Sequence, residues 1–155
     1  MAWSYREALE SSDAEAVVEH FADGVVLHSP LSAHDFVGAD EVGALYRALF
    51  ASLDATEVTG EFGDGDDRVL FLSARLGGGE VHLAERFRLD ADGKIREITL
   101  YGRPMHGTAL FAKVLGPQLA ERHHGAGRGR FVRAVTAPLP AALEALDRVG
   151  ARLSR

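Results

Sequence analysis

The chain has 155 residues, 46% hydrophobic and 26% charged, with no cysteine and a formal net charge of −6. This length points to one domain with room for an appendage, and the composition excludes a disordered chain. The missing cysteines exclude disulfides, thiolate nucleophiles and thiolate metal sites. No apolar run approaches the roughly 18 residues a membrane span needs, and the first residues do not read as a signal peptide, so a cytoplasmic protein is expected.

Charge is unevenly spread. From Lys113 onward eight Lys/Arg face three Asp/Glu, a balance of +5, whereas the first 112 residues hold nine against twenty, a balance of −11. An acidic body argues against a nucleic-acid partner, which requires clustered Lys and Arg. The basic tail has two outlets, the acidic body and a membrane surface, of which packing on the body is preferred.

In chain order, residues 5–10 read as a short helix with Ala2, Tyr5 and Leu9 on one side, and Trp3 beside it reads as a packing residue. Ser12 or Asp13 can cap a second helix whose Ala14, Val17, Val18 and Phe21 form one stripe, ended by Asp23-Gly24. A strand is expected over 25–29, then a polar loop over 30–38 containing Ser32, His34 and Asp35. A third helix follows from Asp40, with Val42, Leu45, Tyr46, Leu49 and Leu53 inward. Residues 56–62, 69–76, 80–89 and 94–101 read as strands joined by short Gly- and Asp-rich turns, which favours antiparallel hairpins. Helices followed by a meander of strands give an α+β fold. After Pro104, Leu110, Val114, Leu115 and Leu119 suggest a helix. A Gly-rich linker is expected over 123–129, and Leu139, Leu143, Leu146, Val149 and Leu153 form a last amphipathic stripe. The expected division is therefore a body over 1–105 and a helical extension over 106–155.

Residues 81–89 are the most informative segment. Period-two alternation places Val81, Leu83, Glu85, Phe87 and Leu89 on one face and His82, Ala84, Arg86 and Arg88 on the other. Glu85 is the one polar residue of the apolar row. Without a partner it is expected to have a raised pKa and to donate a hydrogen bond as a neutral acid. Paired with an arginine such as Arg75, it would only brace the sheet.

Residues 5–103 resemble the nuclear transport factor two-like superfamily, near the SnoaL-like polyketide cyclases and the ketosteroid isomerases. The resemblance is carried by Tyr5-Arg6-Glu7-Ala8-Leu9 through Ser12-Asp13, by Phe21-Ala22-Asp23-Gly24, by the loop from Ser29-Pro30 to Gly38, and by Glu85-Arg86-Phe87-Arg88 through Asp92-Gly93-Lys94. It implies a cone: a curved antiparallel sheet wrapped by three N-terminal helices around an apolar cavity. It also implies a homodimer through the outer sheet face, where Glu97, Thr99 and Tyr101 alternate with Ile98 and Leu100. By the same resemblance Tyr5 falls at the isomerases' oxyanion-donating tyrosine, Tyr46 at its supporting tyrosine, and Glu85 at their protonated aspartic acid. Ser29 falls at their aspartate base, and a serine hydroxyl cannot abstract such a proton unaided.

Three routes remain for a reaction. His34 or Asp35 can serve as base from the loop, His28 can do so if its strand is bulged, or the substrate is turned over by positioning alone. Ser29, Tyr46, Leu83 and Phe87 are the expected substrate contacts. His123-His124 lacks a third ligand and reads as solvent-exposed, His106 as a residue near the cavity mouth, and the glycines and arginines of 125–130 lack the context of a phosphate loop. No metal or cofactor is expected. The leading expectation is a cofactor-independent isomerase or cyclase for a small apolar carbonyl compound. The alternatives are a non-catalytic binder of an apolar metabolite or lipid, and a dimerisation scaffold whose tail fills the cavity.

Overall fold

The computed structural model describes residues 4–153 apart from the His123 side chain, so Ala2, Trp3 and that side chain lie outside the described residues. Three helices precede or interrupt the first strands: α1 (Ser4–Glu10), α2 (Ala14–Val18) and α3 (Ala39–Phe50). Asp13 caps α2, its Oδ1 accepting from the backbone N–H of Glu15 and of Ala16 at 3.1 Å. Two free amides of the first turn are thereby satisfied.

The sheet has six strands in the order β2-β1-β6-β5-β4-β3 and does not close. They are β1 (Phe21–His28), β2 (Phe36–Val37), β3 (Leu53–Asp64), β4 (Asp67–Leu76), β5 (Gly79–Leu89) and β6 (Ile95–Arg103). All neighbours are antiparallel except β1 and β6, which run parallel. Two expectations are corrected here. Phe21 belongs to β1 rather than α2, because it pairs with Ile95 and packs 5.5 Å from the Tyr46 ring. Asp23-Gly24 therefore ends no helix; both residues are exposed within β1, where its register against β6 slips. Leu53 likewise opens β3 and does not extend α3.

The extension forms three helices, α4 (Met105–His124), α5 (Ala126–Thr136) and α6 (Leu139–Leu153). The expected linker over 123–129 is mostly helical. Gly125 alone breaks the path, with φ +83, a left-handed conformation that glycine adopts without strain. α4 is apolar on several sides because it lies between neighbours. Leu110, Phe111 and Leu115 join the same buried cluster as Tyr5, Leu27, Phe87 and Ile98.

The N-terminus of α4 approaches the sheet closely. A Cβ added to Gly107 would stand 2.6 Å from the Glu80 carbonyl oxygen and 3.4 Å from Val81 Cβ. Backbone cannot yield there as a flexible side chain would. Gly107→Ala is therefore expected to destabilise the fold by about 1–3 kcal/mol, the usual cost of overpacking. Urea unfolding checks this; an unchanged midpoint would show that α4 has slack at this point.

Candidate functional site

β5 places Glu85 between Leu70 of β4 and Leu100 of β6, on the concave side of the sheet. The alternation read from the sequence holds: Val81, Glu85, Phe87 and Leu89 are buried, while Arg86 turns outward to bind Asp67 with Nε at 2.9 Å from Oδ1. Glu85 is 3% exposed. Its Oε2 has no hydrogen-bond partner among the described residues. Arg75 does not brace it, standing exposed opposite Glu80 at the far end of the hairpin. Burial alone pushes the Glu85 carboxyl up to about 8, so it is mostly neutral at pH 7 and carries a proton to donate.

Glu85 lines a cavity of about 100 Å³. Leu27, Leu45, Leu49, Leu83 and Leu100 supply much of its apolar wall, and among the described residues the only polar side chains lining it are Ser29, Tyr46 and Glu85. A smaller void of about 20 Å³ shares Tyr46, Leu83, Glu85 and Phe111 with it. Among the described residues no Lys, Arg or His lines the larger cavity. An anion would find no counter-charge there, whereas one neutral oxygen would find donors.

The two tyrosines are arranged in series. Tyr5 Oη donates to Tyr46 Oη at 3.1 Å, and both side chains are fully enclosed. Burial first, and then the partner hydroxyl of Tyr46 and the nearby Glu85, hold the Tyr5 phenol well above its usual range. Burial followed by Glu85 does the same for Tyr46. Tyr46 faces the cavity, while Tyr5 stands behind it, outside the lining, with its ring edge-on to Phe87 at 4.9 Å. Tyr46 thus lines the cavity with Tyr5 behind it, whereas the resemblance implies Tyr5 as the donor and Tyr46 as its support.

The structure sorts the other candidates. Ser29 lines the cavity, and its Oγ accepts the backbone N–H of Leu31 at 3.2 Å. Leu83 also lines it. Phe87 does not; it is a fully buried core residue. His34 is exposed and is not brought to the cavity. Asp35 is exposed as well, its Oδ1 lying 2.6 Å from Nδ1 of His28. His28 points away from the cavity, as alternation from Leu27 requires, with Nε2 4.0 Å from Glu97. His106 sits on α4 with Nδ1 3.3 Å from Asp147 of α6, an ion-pair distance without hydrogen-bond alignment. Among the described residues no group of three or more His, Asp or Glu could hold a metal ion.

The sequence reading missed the contribution of α4. Phe111, Leu115 and Leu119 line one side of the cavity, beside Ala112 and Gly116. Their i, i+4, i+8 spacing was the available signal: one stripe of a helix covered elsewhere by α5 and α6. The tail meets the body through apolar side chains of α4, and among the described residues the arginines of α5 form no ion pair with an acid of the body.

Comparisons with known proteins bear on the fold. Residues 4–98 match the SnoaL-like domain profile. A steroid delta-isomerase from Pseudomonas aeruginosa superposes with a TM-score of 0.70 at 23% identity, over 77% of this chain and 88% of that one. An uncharacterised cystatin-like-fold protein from Silicibacter pomeroyi DSS-3 gives 0.70 at 16% identity, over 74% and 82%. A SnoaL-like protein of unknown function from Burkholderia thailandensis gives 0.56 at 19%, over 65% and 89%. No curated protein matches the sequence. At these identities the solved structures speak for the fold alone, but the profile covers more than half of the sequence, and the chain belongs to the SnoaL-like domain family.

Proposed function

We propose that the cavity takes a small, neutral, largely apolar molecule with one hydrogen-bond-accepting oxygen, held by the neutral carboxyl of Glu85 and by Tyr46. The observation that carries this reading is Glu85 Oε2, buried at the cavity and lacking a partner. A polar atom left unpaired in an apolar wall is stabilised by any ligand that completes its hydrogen bond. The volume of about 100 Å³, below the roughly 150 Å³ of a cavity that takes benzene, suits a molecule smaller than a six-membered ring.

A catalytic reading is favoured by the hydrogen bond from Tyr5 to Tyr46. Two donors on one carbonyl oxygen, one of them supported from behind, would stabilise charge developing there. Among the described residues no base other than the Glu85 carboxyl itself lines the cavity, so the chemistry would be rearrangement or cyclisation of an already electrophilic substrate, without a cofactor. For the homodimer implied by the resemblance, the proposed surface is the outer sheet face, where Phe71 and Tyr101 are exposed in register across Ala84.

Matched probes test the binding reading: butanone, 2-methylbutane and propanoate, titrated by NMR at pH 6. The ketone is expected to bind about five- to tenfold more tightly than the hydrocarbon, the carboxylate not at all, and Glu85→Leu to erase the ketone's advantage. A ketone no better than the hydrocarbon in the unaltered protein sinks the proposal.

A further inference from the structure

We propose that the outer faces of α5 and α6 seat this protein on an anionic lipid bilayer, as a peripheral contact independent of what the cavity holds. α5 carries Arg128, Arg130 and Arg133 and no acidic residue. All three arginines are exposed, and among the described residues none forms an ion pair. Gly129, Val132 and Thr136 form the face turned to α4: Val132 and Thr136 lie against Gly116, and Gly129 against Pro117 and Glu121. Helical spacing then directs Phe131 and Val135 away from α4, and Phe131 is 66% exposed.

α6 adds a second exposed apolar face, although it also carries Glu144 and Asp147 and its Arg148 is paired with Glu144. Pro140 is buried and Asp147 reaches His106 of α4, which fixes the inner face. The opposite face bears Leu139, Leu146, Val149 and Leu153, with Leu146 67% and Leu153 83% exposed. Arg152 lies in its last turn. Large apolar side chains interleaved with unpaired arginines are costly to leave in water and suit a headgroup boundary, where acyl chains take the former and phosphates the latter. Among the described residues no helix is long and apolar enough to cross a membrane, and the proposed contact is superficial.

Charge decides between the bilayer and a second copy of the chain. A two-fold interface through α5 would set arginines against arginines, with no acid on the helix to relieve them. Docking the tail on another copy's acidic body would satisfy the arginines but set the exposed Phe131, Leu146 and Leu153 against a charged surface. A bilayer has neither defect, and the −11 of the first 112 residues would be repelled from it, orienting the molecule tail first.

Co-sedimentation of the full chain with vesicles tests the proposal, using phosphatidylcholine alone and phosphatidylcholine with about one third phosphatidylglycerol. Binding to the anionic vesicles only, lost at about 0.5 M salt, is expected. Arg128→Gln/Arg130→Gln/Arg133→Gln and, separately, Phe131→Ser are each expected to weaken it about tenfold or more, with unchanged circular dichroism. These substitutions lie on the surface and leave the packed face of α5 intact. No binding to anionic vesicles overturns the proposal, as does equal binding to neutral ones or insensitivity to both variants. Concentration-dependent self-association abolished by the same variants would assign the surface to a second copy, and binding to an oligonucleotide but not to vesicles would assign it to nucleic acid; either result overturns the bilayer.

Discussion

Thermal unfolding of Glu85→Gln is expected to show a midpoint about 10 °C above that of the unaltered protein at pH 8 to 9, and no difference near pH 4.5. Glutamine keeps the shape of the neutral acid and cannot ionise. The sign follows from proton counts. Glu85 titrates near its ordinary 4.5 when unfolded and near 8 when folded, so between those values the folded chain holds a proton the unfolded chain has lost. Stability from this group is fully present below the unfolded value, falls as pH rises toward the folded one, and is flat beyond it. Over that window the loss amounts to about 3–5 kcal/mol, a large share of the 5–15 kcal/mol typical of a domain. Burial is the sole cause of the shift, and no neighbouring charge moderates it. Parallel pH curves for the two proteins would show that the carboxyl is solvated or neutralised, and the proposed ligand contact would fall with it.

The second large effect separates core from cavity wall. Phe87→Ala is expected to destabilise the fold by about 3–5 kcal/mol, because a fully buried ring leaves a void its neighbours cannot fill. The ring packs edge-on against Tyr5, so its loss also loosens the support behind Tyr46. Leu83→Ala, at a half-buried position on the wall, is expected to cost less and to shift preference toward larger ligands. Denaturant unfolding of both variants, with probes of graded size, checks the contrast. Equal destabilisation by the two, with ligand preference altered by Phe87→Ala alone, would reverse their assignment.

The legible parts of this protein were those governed by short-range periodicity. Alternation along β5 identified Glu85 as the polar residue turned inward, and the turn residues delimited β3 to β6. What escaped depends on contacts distant in sequence. Phe21 continues the α2 stripe on a helical wheel, yet pairing with Ile95 draws it into a strand. Glycines and arginines after His124 look like a linker, but Gly129 packs tightly on α4 as part of a helix. His34 and Asp35 are chemically able residues on a loop near Ser29, and nothing local reveals that Asp35 is tied to His28 on the other side of the sheet. Which tyrosine fronts the cavity likewise depends on how α3 sits against α1.

Because Phe111, Leu115 and Leu119 complete the enclosure around Glu85, the seating of α4 and the protonation of that acid are thermodynamically linked. Any event that lifts the helix admits water to the carboxyl, returns it toward ordinary acidity and releases a proton at neutral pH. By reciprocity, alkaline solution loosens the helix. The protonation state of Glu85 therefore acts as a gauge of whether α4 is docked.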